Sequence, residues 1–101
     1  MYARMTTFHT QPGTIDEAIH IVQNAVLPAV RQQPGFKGGL ALADYSTGKL
    51  IGITLWETEA DMLASEANGY YREQVGKIGS FLAGQPVREA YVAGIAEGVN
   101  P

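Results

Sequence analysis

Lys49 to Glu57, KLIGITLWE, is the stretch on which the fold turns. Successive side chains of a strand point to opposite faces, so a sheet with one solvated face alternates apolar and polar residues. This strand does not alternate: Leu50, Gly52, Thr54 and Trp56 fall on one face, Ile51, Ile53 and Leu55 on the other. Both faces therefore call for cover. Phe36 to Tyr45 (FKGGLALADY) reads as the preceding strand, and the short Gly-containing connection Ser46-Thr47-Gly48 makes the pair a hairpin. Leu40 to Ala43 is likewise apolar or small on both sides.

Tyr2 to Thr10 (YARMTTFHT) is β-branched and aromatic, and stops at the turn signal Gln11-Pro12-Gly13. TIDE at Thr14 to Glu17 has the pattern of a capping box, in which Thr14 accepts from the third helical N–H. Ile15, Ala18, Ile19, Val22, Val26, Ala29 and Val30 follow at steps of three and four, which predicts a helix toward Gln33. Pro28 interrupts it, so a kink or broken last turn is expected. Thr58 with Asp61 marks a second helix start, with Met62, Leu63 and Ala67 inward. After Asn68-Gly69 a further helix carries Tyr71, Val75, Ile78 and Leu82 on one face, with one of Tyr70 and Tyr71 inward and the other toward solvent. Val87 to Ala96 (VREAYVAGIA) is the last strand. The order βαββαβ is that of an α+β, ferredoxin-like domain with a four-stranded antiparallel sheet. A single domain over 1–97 with a frayed tail at 98–101 is expected.

Two helices cover one face of such a sheet. The other face is expected to meet a second copy of itself, giving a homodimer. Composition agrees, since charged residues are 17% of the 101, against about 25% in ordinary soluble domains. Lys+Arg 7 against Asp+Glu 10 gives a net charge of −3, which argues against nucleic acid or an anionic membrane as partner. Zero cysteines exclude disulfides, thiolate catalysis and Cys-ligated metals. No apolar run reaches the ~18 residues of a membrane span, and MYARMTTF lacks the pattern of an export signal, so a cytoplasmic domain is expected.

The first strand MYARMTTF, the QPGT helix entry, the PGFKGG step and LWETEADM together resemble the antibiotic biosynthesis monooxygenase family of dimeric α+β barrel proteins. The resemblance implies a homodimer with facing sheets. If the protein is an enzyme, it implies cofactor-independent oxidation of a flat phenolic or quinol-type substrate. The competing expectation is a non-catalytic module that sequesters a small apolar or aromatic molecule. Haem-degrading relatives use an Asn, a Trp and a His where this chain has Thr6, Ser65 and Val75, so no haem, and no other cofactor or metal, is expected.

Candidate site residues follow. Arg4 either forms a surface ion pair with Glu89 or Glu57, or polarises the oxygen of a flat substrate. Tyr71 positions that substrate, and His9, the only imidazole near a strand end, is the candidate base. Thr6, Trp56, Met62 and Val75 are expected to line the pocket, Trp56 otherwise being a packing anchor. His20 sits on a helix, and two histidines without a third ligand make a weak metal signal. No phosphate-loop, nucleophile-elbow or dinucleotide motif is present.

Overall fold

The computed structural model describes residues 1–94, so the domain limit expected at 97 and the tail 98–101 lie outside the described residues; the last strand, expected to run from Val87 to Ala96, already ends at Val92, with Ala93 and Gly94 outside it. The chain runs β1 (Tyr2–His9), α1 (Ile15–Ile21), a π-helical segment (Val22–Val26), α2 (Leu27–Val30), β2 (Phe36–Asp44), β3 (Lys49–Trp56), α3 (Glu59–Ala67), α4 (Tyr70–Ile78), a short 3-10 turn (Gly79–Phe81) and β4 (Val87–Val92). The sheet order is β2-β3-β1-β4 with every pairing antiparallel, which is the expected ferredoxin-like arrangement. In the β2–β3 connection Asp44 accepts from the backbone and hydroxyl of Ser46, and Gly48 takes a φ of 76°.

Register decides which residues meet the helices. Thr6 lies opposite Gly52 and Arg88, Arg4 opposite Thr54 and Ala90, and Tyr2 opposite Trp56. Phe8, Leu50 and Trp56 on that side are buried. On the other face Leu40 pairs with Ile53, Leu42 with Ile51 and Tyr91 with Ala3. Leu40 is 51% exposed and Tyr91 50%. The second apolar face anticipated from KLIGITLWE is therefore uncovered within one chain.

Several helix expectations are corrected. Thr14 does not cap α1: its hydroxyl donates to the Gln11 carbonyl at 2.7 Å, and no side-chain cap forms. The turn before it holds Gly13 at a φ of 80° and already uses the hydroxyl to close the loop. Thr58, in contrast, accepts from the Asp61 N–H at 3.1 Å and donates to its carboxylate at 2.9 Å, a working N-cap for α3.

Pro28 does not break the helix. The change comes upstream, where the Leu27 N–H donates to the Val22 carbonyl across a widened π turn. In an unbroken α-helix the Pro28 ring would collide with the carbonyl four residues back, and an extra residue in the preceding turn relieves that collision. Downstream of it Leu27 and Val30 pack inward, while Pro28 is exposed. In α3 the buried residues are Met62 and Ser65, whereas Leu63 and Ala67 face outward. A buried cation on β1 draws the Ser65 hydroxyl inward.

Two apolar clusters result. Phe8, Ala18, Leu50 and Ile78 form one, and Val30, Trp56 and Met62 the other, with Phe36 edge-on to Trp56 at 5.9 Å between ring centroids.

Gly35 joins the two halves of the chain, since its carbonyl accepts from the Glu57 N–H at 2.8 Å and its φ is 80°. A Cβ there would collide with the Asp61 carboxylate that Thr58 holds in place. Gly13 has the same φ of 80° with nothing within 4 Å of a Cβ. Gly35→Ala is therefore expected to cost about 2–3 kcal/mol in urea denaturation and Gly13→Ala about 1 kcal/mol, the difference being the overlap. Equal losses would show that the overlap relaxes freely.

Candidate functional site

Arg4 organises the space between sheet and helices. It lies on β1 with β3 on one side and β4 on the other, and is 3% exposed. A buried guanidinium must be paired, because leaving water costs it several kcal/mol or more. Its Nη1 donates to the Ser65 hydroxyl at 2.8 Å and reaches the Glu66 carboxylate at 3.2 Å and the Met62 carbonyl at 3.5 Å. The Ser65 hydroxyl in turn donates to the Met62 carbonyl at 2.7 Å. The side-chain hydrogen bonds of Arg4 all leave from Nη1, and Nε and Nη2 have no such partner among the described residues. Its face stacks instead, 5.2 Å from the Trp56 ring centroid and 4.7 Å from that of Tyr71. Of the two readings of Arg4, the surface pairing with Glu89 or Glu57 is replaced by a buried pairing with Glu66.

Glu66 is shared. Arg88 approaches its second oxygen at 3.5 Å and stacks on Tyr71 at 4.8 Å. The Tyr71 ring is thus flanked by two guanidinium groups, and its hydroxyl lies 3.4 Å from that of Thr6.

Beside this cluster a cavity of about 100 Å³ opens where the two apolar clusters fail to meet. Arg4 and Thr6 of β1, Gly52 and Thr54 of β3, Val22 and Val26 of the π segment, and Tyr70, Tyr71, Gln74 and Val75 of α4 face it. Gly52 leaves the room, because a Cβ built there meets nothing within 4 Å. Glycine in a strand interior gives up packing and backbone order, so its place here is matched by the space it opens. The π turn contributes the opposite wall. Such turns often accompany functional sites.

The expected residues divide between these features. Arg4, Thr6, Tyr71 and Val75 converge on the cavity. Trp56 and Met62 do not line it: both are buried in the neighbouring cluster, where the Trp56 indole N–H donates to Thr54 at 2.9 Å. Trp56 thus orients a cavity residue from behind. His9 is exposed at the end of β1 opposite Lys49, and His20 is exposed on α1, so neither imidazole reaches the cavity. Tyr70 and Tyr71 both face it, in place of one inward and one outward, because the cavity spans more than one side of α4. Gly52, Gln74 and Glu66 were not among the expected site residues. Only Gly52 carried a signal, as a glycine inside an apolar strand. A haem does not fit, since the cavity is far smaller than a porphyrin and no imidazole or thiolate lines it. Among the described residues no group of three or more His, Asp or Glu is placed to hold a metal, and no helix is long and apolar enough to cross a membrane.

Burial pushes the Tyr70 phenol up from 10.0 to about 12, with the nearby Arg4 charge opposing that rise. A hydroxyl donated to Asp16 raises Tyr45, and one donated to Glu89 raises Tyr91. In each case the folded state prefers the neutral phenol. The stabilisation is complete below the unfolded value of 10.0 and is lost as pH rises through the folded value, about 12 for Tyr70. Urea midpoints are therefore expected to fall between pH 10 and 12, and the fall to be shallower in Tyr70→Phe. A Tyr70→Phe profile parallel to the parent would refute the assignment to Tyr70.

No family model matches the chain. Two Mycobacterium tuberculosis proteins, Rv2557 and Rv2558, both named as uncharacterized, are 38% identical to it over 78 and 65 residues, 77% and 64% of this chain. The chain spans about a third of the length of these relatives, 32% and 28%. Among solved structures, a monooxygenase from the gene ActVA-Orf6 of Streptomyces coelicolor, in complex with nanaomycin D, superposes with a TM-score of 0.79 at 20% identity, over 94% of this chain and 88% of the other. A putative antibiotic biosynthesis monooxygenase of Bordetella bronchiseptica gives 0.79 at 17% identity, over 93% and 97%. One from Nitrosomonas europaea gives 0.76 at 12%, over 94% and 100%. By its strand order and these superpositions, the chain has the fold of the antibiotic biosynthesis monooxygenases.

Proposed function

We propose that this chain is a small, cofactor-independent monooxygenase acting on a flat phenolic or quinol-type substrate, working as a homodimer paired through its outer sheet face. The observation that carries the reading is Arg4, a buried cation on the wall of a largely apolar cavity. In a low-dielectric space such a charge favours an ionised phenol over a neutral one far more than it would in water. A ring held by Val22, Val26, Val75 and Ile78 sets its oxygen toward Nε or Nη2 of Arg4, with Thr6, Gln74 and the two tyrosine hydroxyls available to orient it. The electron-rich phenolate then reduces dioxygen directly. The substrate gains one oxygen atom and loses two hydrogens to become a quinone, and the second oxygen leaves with those hydrogens as water. The complex of the Streptomyces coelicolor neighbour with nanaomycin D supports a small organic ligand at such a fold.

The second reading is a binding module without chemistry. It is favoured by the absence of His, Asp and Glu from the cavity lining among the described residues, which offers no ordinary general base there. Oxygen uptake separates the two. Purified metal-free and flavin-free protein is expected to consume oxygen with an electron-rich phenol, and Gly52→Val, whose Cβ meets nothing within 4 Å and whose methyls enter the cavity, to lower that uptake at least tenfold while the thermal midpoint holds or rises. Uptake no higher than in a protein-free control, across a panel of phenols and hydroquinones that do bind, establishes the module instead.

Pairing rests on Leu40, Leu42, Ile51, Ile53 and Leu55 with Val87 and Tyr91, an apolar face interrupted on β4 by Glu89, which accepts from the Tyr91 hydroxyl. Light scattering at micromolar concentration is expected to give about twice the 10.8 kDa chain mass. Leu42→Lys together with Ile53→Glu is expected to shift that mass toward one chain. A single-chain mass for the parent protein rules pairing out.

A further inference from the structure

An open groove lies on the other side of Tyr71, between α3, the start of α4 and β4. Glu66, Tyr71, Arg72, Gln85 and Arg88 face it, and Tyr71 and Val75 are common to the groove and the inner cavity. The charge there runs against that of the chain. The whole sequence carries −3 with Lys+Arg 7, yet Arg4 and Arg88 stack on Tyr71 and Arg72 lines the groove with it. Among the described residues Glu66 is the one carboxylate lining either space, so three cations there against one anion leave a local surplus of two positive charges. Glu66 already draws on Arg4 and Arg88, while Arg72 has no ion pair among the described residues and is exposed.

We infer that this groove is a carboxylate subsite, and that the ligand is an aromatic acid whose ring enters the inner cavity while its carboxylate meets Arg72 and Arg88. The inference rests on the reading of the inner cavity as a ring site and adds to it the ligand's charge. Guanidinium groups match a planar carboxylate with paired donors, and Arg88 already meets one such group in Glu66. A singly charged carboxylate suits the surplus better than a phosphate dianion, which would face the Glu66 charge at close quarters. The side chain joining ring and carboxylate passes Tyr71 and Val75, the two residues that line both spaces.

Calorimetric titration with a matched pair, p-hydroxyphenylpropionate and the neutral p-hydroxyphenylpropanol, tests this on the intact protein. The acid is expected to bind about fivefold more tightly than the alcohol, the scale of a partly exposed ion pair. That advantage is expected to shrink with added salt, and to vanish in Arg72→Gln without change in the thermal midpoint. Arg88→Gln is expected to act in the same direction. The subsite is overturned if the alcohol binds as tightly as the acid, or if the acid keeps its advantage in both variants. The ring site fails separately: it is overturned if the alcohol binds equally well to Gly52→Val. If neither probe binds, both readings fall.

Discussion

Placing an arginine under two helices obliges the surrounding chain to answer its charge. Arg4 sits on β1 between β3 and β4, where a solvated cation has no room. The answer comes from one turn of α3, which supplies the Ser65 hydroxyl, the Met62 carbonyl and the Glu66 carboxylate, and from the ring faces of Trp56 and Tyr71. Such an arrangement is poor evidence for added stability, since desolvation offsets much of the attraction. It is better evidence for specificity of position. α3 cannot turn about its axis without stranding the guanidinium, and Tyr71 cannot leave without uncovering it. Arg88 on the edge strand is tied in by the same carboxylate. One side chain thus sets where α3, α4 and β4 stand around the cavity.

The architecture was legible because it rests on short-range patterns. Turn residues at Gln11-Pro12-Gly13, Pro34-Gly35 and Ser46-Thr47-Gly48 separate short β-branched or doubly apolar runs from a segment with apolar steps of three and four, and the βαββαβ order follows. The doubly apolar strands pointed correctly to a second uncovered face. Much of the site was not legible, for physical reasons. Glu66 is a helix glutamate like any other until a buried cation more than sixty residues away turns it inward. The inward face of α3 was misassigned because apolarity placed Leu63 and Ala67 inside, whereas the need for a hydroxyl put Ser65 there. Trp56 and Met62 are apolar enough for a pocket and for a core alike. Only the three-dimensional packing shows that they fill the core.

Capping shows the same division. Two hydroxyls stand at apparent helix starts, and only Thr58 uses its own on the helix. Thr14 belongs to a tight turn whose carbonyl lies closer than any helical N–H, so a local competitor wins.

The π turn at Val22–Val26 amounts to one residue let into an otherwise ordinary helix. Each residue advances an α-helix by about 100°, so an inserted one changes which side of everything downstream points inward. α1 and α2 thereby serve different clusters, Ala18 packing with Phe8 and Leu27 with Trp56. For comparisons between chains, an ungapped alignment through this segment slips by one position against any relative whose helix is regular there. Correspondences drawn for α2 from such an alignment compare a core position with a surface one. The slip falls beside the cavity, so gain or loss of a single residue here would be a route by which related chains come to differ in pocket shape while keeping the same sheet.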